Sequence, residues 1–401
     1  MFGDISMKNK KSTLIFIICY IAYTSIYIAR LNLSTASPEM MKAGVLTTAQ
    51  LGILGSAFSV IYACGRLING ALSDKISPKI MVSVGLAFTG ISNIVIGFFP
   101  PFIGVFVFWS INAFAQSMLW SSILCTVASL YDERIARKKT SFMVTSVATG
   151  NILGILISLL LTEYVGLKFA FIIPGLVTVF LGGVIIFALK DIKPLKAKEG
   201  KKHVSIFKLV SEQLVRTMIF PAVFHGVMKD NISLWMTVFF VEKYKINLAS
   251  SGMFVLFVPI IGLLGRFLFP ICYKICKSDE YKVSVIGFAV CIISSAVLCF
   301  FNVQPMLAMV CLGLIYAAVS VINTGVLSVF PIRFLTSGNV ASVSGLMDFA
   351  TYLGAGIASF IYGFTIEKFG FSALFSSWIG VSAVSVVILA FSIKKLNKKT
   401  V

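Results

Sequence analysis

The sequence predicts an all-α polytopic membrane protein: twelve transmembrane helices in two pseudo-symmetric six-helix bundles. Three observations carry this. Of the 401 residues, 58% are hydrophobic and only 12% are charged. Soluble chains run at about 45 to 50% apolar and about 25% charged, so a soluble enzyme is excluded. The apolar residues fall into twelve runs, each long enough for a tilted helix to cross a bilayer. The last six runs repeat features of the first six at a nearly constant spacing.

Taken in order, the runs of the first half are 13–41, 47–70, 80–99, 102–131, 142–162 and 169–189. Those of the second half are 214–240, 251–273, 283–301, 305–331, 341–364 and 372–393. The first run follows Lys8, Lys10 and Lys11 as a secretory leader would. It is too long for one and carries Arg30 where a small-residue cleavage site would stand, so it reads as span 1. The polar stretch 191–212, with Lys193, Lys196, Lys198, Lys201, Lys202 and Lys208, reads as a cytoplasmic basic linker between bundles 1–190 and 213–401.

Lys and Arg total 34 against 15 acids, a formal net charge of +19. With the N-terminus inside, 25 basic residues fall on the cytoplasmic side and 5 outside: Lys42, Lys168, Lys243, Lys245 and Lys368. Basic residues concentrate in cytoplasmic loops. The excess therefore records topology rather than nucleic-acid binding, and places both termini in the cytoplasm with the chain in the plasma (inner) membrane. The eight cysteines lie in or at the ends of apolar runs without ligand spacing, which reads as core packing. No metal or cofactor is expected, and the partners expected are a small anion and membrane lipid around a monomer.

The internal repeat is specific. Gly65, Arg66 and Leu67 return as Gly265, Arg266 and Phe267 at an offset of 200, and Arg30 meets Lys229 at an offset of 199. Gly150, Glu163, Gly166 and Phe171 return as Gly354, Glu367, Gly370 and Phe375, each offset by 204. Two copies of six helices around a central cavity are the parallel-repeat plan of alternating-access transporters.

Four cations remain inside the spans: Arg30, Arg66, Lys229 and Arg266. An ionised side chain in the hydrocarbon region is costly and by default functional. At about 1.5 Å per residue, Arg30 and Lys229 fall near mid-depth, where they are expected to face each other across the cavity. Arg66 and Arg266 stand roughly 12 Å inside the cytoplasmic boundary by the same rise. Tyr20, Tyr23, Tyr27 and Arg30 share one helical face. They read either as a packing stripe or as a hydroxyl-lined wall leading to a guanidinium, and the terminal Arg favours the wall. A guanidinium fork matches carboxylate or phosphate oxygens, and two pseudo-symmetric cation pairs would hold a dianion. Two acids, Asp230 and Asp348, leave a net intramembrane charge of +2. Both are expected as coupling or charge-pairing groups: Asp348 with Arg266, or else with Lys229, the alternative being that it bonds only to hydroxyls or water within its own half; and Asp230 beside Lys229, although adjacent helical positions point about 100° apart and need not pair. His225 lies four residues before Lys229 on the same face and reads as a packing or helix contact, with a ligand-contact or titrating role as the alternative. Gly70, Ser73, Asp74, Lys75, Pro78 and Lys79 form a loop in which an acid beside a helix end can latch neighbouring helices. Gly150, Gly154, Gly345, Gly354 and Gly363 have spacings that permit close helix approach.

These residues resemble the major facilitator superfamily, and within it the organophosphate:phosphate antiporters that carry glycerol-3-phosphate and hexose phosphates. The 73–79 loop, the six-plus-six repeat and the basic linker carry the wider resemblance across the whole chain. Tyr23, Tyr27, Arg30, Arg66, Gln116 with Trp120, Lys229 with Trp235, and 345–370 with Tyr352, Leu353 and Gly354 carry the narrower one. The resemblance implies the major facilitator fold and a substrate site made of Arg30, Lys229, Arg66, Tyr23, Tyr27 and Tyr352. It also implies alternating-access exchange of a phosphorylated metabolite for inorganic phosphate, and no enzymatic activity. Leu31 stands where that family has a second basic residue, Gly150 where it has a pore histidine, and Asp348 where it has a small residue. Relatives that sense sugar phosphates make a membrane sensor the alternative. A proton-coupled sugar-acid or carboxylate symporter, with Asp348 and His225 titrating, is the third reading.

Overall fold

The computed structural model describes residues 2–73, 76–189, 206–334 and 340–397. Asp74 and Lys75 of the predicted loop, and most of the 191–212 linker, lie outside these residues.

The first half builds α1 (Phe2–Lys42), α2 (Thr48–Leu72), α3 (Pro78–Ile96), α4 (Phe102–Ser117), α5 (Leu119–Leu130), α6 (Glu133–Met143), α7 (Thr145–Leu160) and α8 (Phe169–Ala188). The second half builds α9 (Ile206–Ser211), α10 (Gln213–Tyr244), α11 (Leu248–Ile275), α12 (Glu280–Phe300), α13 (Pro305–Thr324), α14 (Val340–Phe369) and α15 (Phe371–Asn397). Among the described residues there is no strand.

Helix ends follow local chemistry. Pro78 and Pro305 stand in the first turns of α3 and α13, where a missing N–H costs nothing. The Asn247 side chain accepts from Ser250 N at 2.7 Å to cap α11, and Asp279 accepts from Tyr281 N at 2.9 Å to cap α12.

Predicted span 4 is divided at Met118 and span 5 at Val144. Their backbones stay right-handed helical, at φ −72°, ψ −24° and φ −59°, ψ −27°. The breaks are therefore slips in hydrogen bonding, and the chain keeps its direction. Span 5 ends in a π-helical turn, Leu161–Val165, and span 10 in another, Gly325–Val329.

By length and composition, 11 helices among the described residues can cross a membrane. The predicted seventh span, within α10, is 32 residues long but falls short on hydropathy, because His225 and the run Lys229, Asp230, Asn231 interrupt it. Its polarity marks where function departs from the lipid-adapted pattern.

The chain forms two compact units: Met1–Val45 with Ile61–Glu199, and Leu46–Val60 with Gly200–Val401. The start of α2 thus belongs to the second unit, where Glu367 Oε2 accepts from Ala49 N at 3.1 Å. In the first unit α1 packs on α7 and α8, and α3 on α4 and α8. In the second, α10 packs on α14 and α15, and α12 on α13 and α15. In repeat terms these are the same four pairings.

The repeated glycines sit at those contacts. A side chain at Gly65 would strike Ser117, and one at Gly265 would strike the Ala317 backbone, positions again 200 apart. Gly150 abuts Thr24 and Tyr27 of α1, and Gly354 abuts Val223 of α10. Gly345 does not belong with them, since nothing lies within 4 Å of where its Cβ would be. Where α12 begins, buried Glu280 accepts from Arg333 through both carboxylate oxygens, the Nη2 to Oε2 distance being 3.1 Å.

Candidate substrate-binding site

In the first unit, a buried amide cluster fixes α1 beside Arg30. Asn32, Asn93, Asn112 and Gln116 are all fully buried. Asn32 Nδ2 donates to Asn93 Oδ1 at 2.7 Å and to the Ala170 carbonyl at 3.1 Å. Asn93 and Asn112 both donate to the Ala29 carbonyl, at 3.1 and 3.3 Å, and Gln116 donates to that of Ile26 at 3.3 Å. Four helices, α1, α3, α4 and α8, are thereby tied at one level, next to the residue that bears the guanidinium. In a water-poor interior such hydrogen-bonded amides specify one packing, although Gln116 Oε1 is left without a partner.

Arg30 and Arg66 share an aromatic ring. The Arg30 guanidinium carbon lies 5.3 Å from the Tyr62 ring centroid and that of Arg66 5.9 Å. Tyr62 precedes Arg66 by one helical turn on α2, so both project from one face. Cations over a ring face are held by its quadrupole. The ring therefore keeps two positive charges close at partly exposed positions.

The tyrosine stripe divides. Tyr20 donates to or accepts from Thr145 and Thr149 of α7, at 3.1 and 3.0 Å. Tyr23 is 3% exposed, sits in the hydrophobic cluster with Ile15, Cys19 and Leu119, and packs on Trp120 at 5.0 Å. Tyr27, half-buried, meets Tyr23 edge-on at 5.7 Å. Tyr20 and Tyr23 are thus engaged with α7 and α5.

In the second unit, Lys229 lies 3.6 Å from Asp230 Oδ1 and 4.8 Å from the Tyr352 ring centroid. Both charged side chains keep partial exposure, 25% and 18%. Two residues on, buried Asn231 accepts from Trp235 Nε1 at 3.1 Å and from Ser359 Oγ at 2.9 Å, and donates to the Ala355 carbonyl at 3.3 Å. Asn231 and Asn32 are 199 apart, the same offset as Lys229 and Arg30. Each central cation therefore has a buried asparagine behind it, pinning its helix.

Among the described residues no ion pair joins Asp348 to Arg266 or Lys229. The acid at Lys229 is its neighbour Asp230, because the long lysine stem folds back across the roughly 100° that separates adjacent helical positions. His225 shares the Lys229 face in spacing but is wholly buried, and neither ring nitrogen has a hydrogen-bond partner. The close approach of α14 at Gly226 covers that turn of α10. Arg266 is half-buried on α11, and Asp348 and Tyr352 lie on α14. Gly70 has only Ser121 Oγ near its Cβ position, at 4.0 Å. Tyr62 and the asparagines carry no charge and do not stand out in the sequence, whereas Asp230 does and is paired with Lys229. The i, i+4 spacing of Tyr62 and Arg66 and the shared 199 offset were the available signals.

The described residues are predominantly helical and without a strand, with cations held inside helices of which 11 are long and apolar enough to cross a membrane. The chain belongs to the Major Facilitator Superfamily, whose profile matches residues 19–358. Its fold is similar to that of a bacterial homolog of the human lysosomal transporter Spinster in an inward-facing, unoccupied conformation. That match has a TM-score of 0.77 at 13% identity and covers 95% of each chain. A point mutant of the nucleoside transporter NupG matches with a TM-score of 0.75 at 14% identity, over 94% of this chain and 99% of that one.

Among curated proteins, the chain is 30% identical to a probable hexose phosphate transport protein of Chlamydia trachomatis, over 44% of this chain and 39% of that protein. It is 23% identical to the glycerol-3-phosphate transporter of Bacillus subtilis, over 94% of this chain and 91% of that protein. It is 26% identical to the membrane sensor protein UhpC of Salmonella typhimurium, over 44% of this chain and 40% of that protein. The chain thus spans about two fifths of the hexose phosphate and sensor relatives in these alignments.

Proposed function

We infer that the protein carries a small phosphorylated metabolite across the membrane by alternating access, in exchange for inorganic phosphate. The observation that carries this reading is the pair of guanidinium groups, Arg30 and Arg66, gathered on the Tyr62 ring inside the spans. Two forks at one place match the oxygens of a phosphate dianion. The similarity to hexose phosphate and glycerol-3-phosphate transporters supports the same chemistry. In the first unit, Arg30, Arg66, Tyr62 and Tyr27 are the proposed substrate contacts.

Proteoliposomes loaded with inorganic phosphate test this reading through uptake of labelled phosphate, glycerol 3-phosphate and hexose 6-phosphate. Uptake should require internal phosphate and should vanish in Arg30→Gln while the variant unfolds at the wild-type temperature. Uptake by Arg30→Gln at the wild-type rate would remove the basis of the reading. The similarity to a membrane sensor favours a second one, in which the site binds the same ligands without translocating them. Saturable binding with no uptake in this experiment would select it.

A further inference from the structure

As odd-numbered spans of the first unit, 1 and 5 are expected to start on the same side of the membrane, and their helices α1 and α7 pack together. Lysines precede both. Lys11 stands two residues before the run 13–41, and Lys138 and Lys139 of α6 stand four and three residues before the run 142–162. No acid occurs from 5 to 38 or from 134 to 162. The nearest, Glu133, precedes Lys138 by five residues, about 7.5 Å of helix. Just inside these lysines the two spans meet through rings. Phe16 of α1 packs on Phe142 at 6.1 Å and on Tyr131 at 6.5 Å. Lys139 Nζ lies 4.7 Å from the Phe16 centroid and 5.6 Å from that of Tyr131. Phe16 is 4% exposed, whereas Phe142 is 56% exposed, and Lys11 and Lys138 are exposed too. Adjacent helical positions point about 100° apart, so Lys139 turns onto the rings while Lys138 turns outward. Lys138 and Phe142, four residues apart, share a face.

We propose that the edge where α1 meets α6 is a binding site for an anionic phospholipid of the leaflet in which both spans start, with its phosphate on Lys138 and Lys11 and an acyl chain against Phe142. The order of groups along the membrane normal matches that of a lipid. The ammonium groups stand at the ends of the apolar runs, at headgroup depth, and the open Phe142 ring lies about 6 Å further in from Lys138, where the acyl chains begin. Basic pockets between membrane helices hold anionic headgroups, and aromatic rings favour this depth. None of the ion pairs among the described residues includes Lys138, so its charge is available to a ligand. Lys139 has a different part. Seated on Phe16 and Tyr131, it holds α6 against α1 by cation–π attraction and so fixes the direction in which Lys138 projects. The absence of acids along both spans up to Glu39 and Glu163 leaves nothing beside the lysines to repel a phosphate.

The test uses purified full-length protein in detergent, titrated with phosphatidylglycerol or with phosphatidylcholine of the same acyl chains, and native mass spectrometry to read the dissociation constant of the first lipid bound. One basic side chain at an anionic lipid surface is worth about fivefold. Wild type should therefore bind phosphatidylglycerol at least about tenfold tighter than phosphatidylcholine. Lys138→Gln should lower that preference about fivefold, Lys11→Gln should do the same, and Lys138→Arg should keep it. Lys168→Gln, at the other end of α7, should leave the preference within about twofold of wild type. Phe142→Ser should weaken both lipids severalfold and alike, since it removes apolar contact and no charge. Unfolding temperatures without added lipid should match wild type for the exposed lysine variants, which separates lost binding from lost folding. Equal binding of the two lipids by wild type would overturn the assignment and leave the face to a protein partner. An unchanged preference in both Lys138→Gln and Lys11→Gln would overturn it too. So would an equal loss in Lys168→Gln, because the net charge of the chain would then account for the preference.

Discussion

A guanidinium inside a membrane span must be received by something, and at Tyr62 one ring receives two. Each contact at such a distance is worth roughly 0.5 to 1 kcal/mol at an accessible site. Together they resist the mutual repulsion of Arg30 and Arg66 and keep both forks in one neighbourhood. The ring face, rather than the hydroxyl, supplies this attraction. Tyr62→Phe should therefore bind inorganic phosphate within about threefold of wild type, while Tyr62→Leu should bind it about tenfold more weakly, the equivalent of ~1.4 kcal/mol. Titration calorimetry on the two variants checks this, and equal affinities for Leu and wild type would show that the ring does nothing for the site. The cations themselves were legible in the sequence because charge in an apolar run stands out. Their partners were not, because a helical wheel gives the direction of a Cβ and says nothing of where a long stem folds. Lys229 shows the difference: the wheel separates it from Asp230, and its flexible chain brings them to 3.6 Å.

The helices obey the same division between what periodicity encodes and what packing decides. Eleven of the twelve predicted runs form helices apolar enough to cross a membrane, and α10 is the exception because His225, Lys229, Asp230 and Asn231 interrupt it. Slips at Met118 and Val144, and the π turns ending spans 5 and 10, arise from how neighbours crowd a helix, for which hydropathy has no signal. Glycine spacing was a partial guide. It marked Gly150 and Gly354, which sit at crossings, and also Gly345, which faces open space. The contrast is testable. At Gly226 an added Cβ would overlap the Thr351 carbonyl, so α10 and α14 would have to separate. Overpacking of this kind costs about 1 to 3 kcal/mol. Gly226→Ala should therefore lower the unfolding temperature of the purified protein, whereas Gly345→Ala should keep or slightly raise it, because alanine is the better helix former. Equal unfolding temperatures for the two variants would refute the crossing as a site of tight contact.

For the whole molecule, the repeat does more than duplicate helices. The Gly65/Gly265 contacts and the Asn32/Asn231 anchors recur at matching positions, so the scaffold was copied with its joints. What diverged is charge: acids entered the second copy only, at Asp230 and Asp348. A scaffold held constant while the lining changes is how one fold serves many substrates. The charge at the ends of the spans makes a separate prediction, about orientation. Lys138 is an exposed residue of α6, on the side that receives 25 basic residues, and Lys168 is a residue just before α8, on the side that receives 5. Since α7 lies between them, they are expected to emerge on opposite faces of the membrane. The bias in Lys and Arg sets orientation during insertion, so Lys138 should be cytoplasmic. In a variant lacking the eight native cysteines, a membrane-impermeant maleimide should label Lys168→Cys in intact cells and should label Lys138→Cys only after lysis. The reverse pattern would invert the topology, move both termini outside and leave the basic excess without its explanation. Labelling of both positions in intact cells would mean that 142–162 does not cross the bilayer at all.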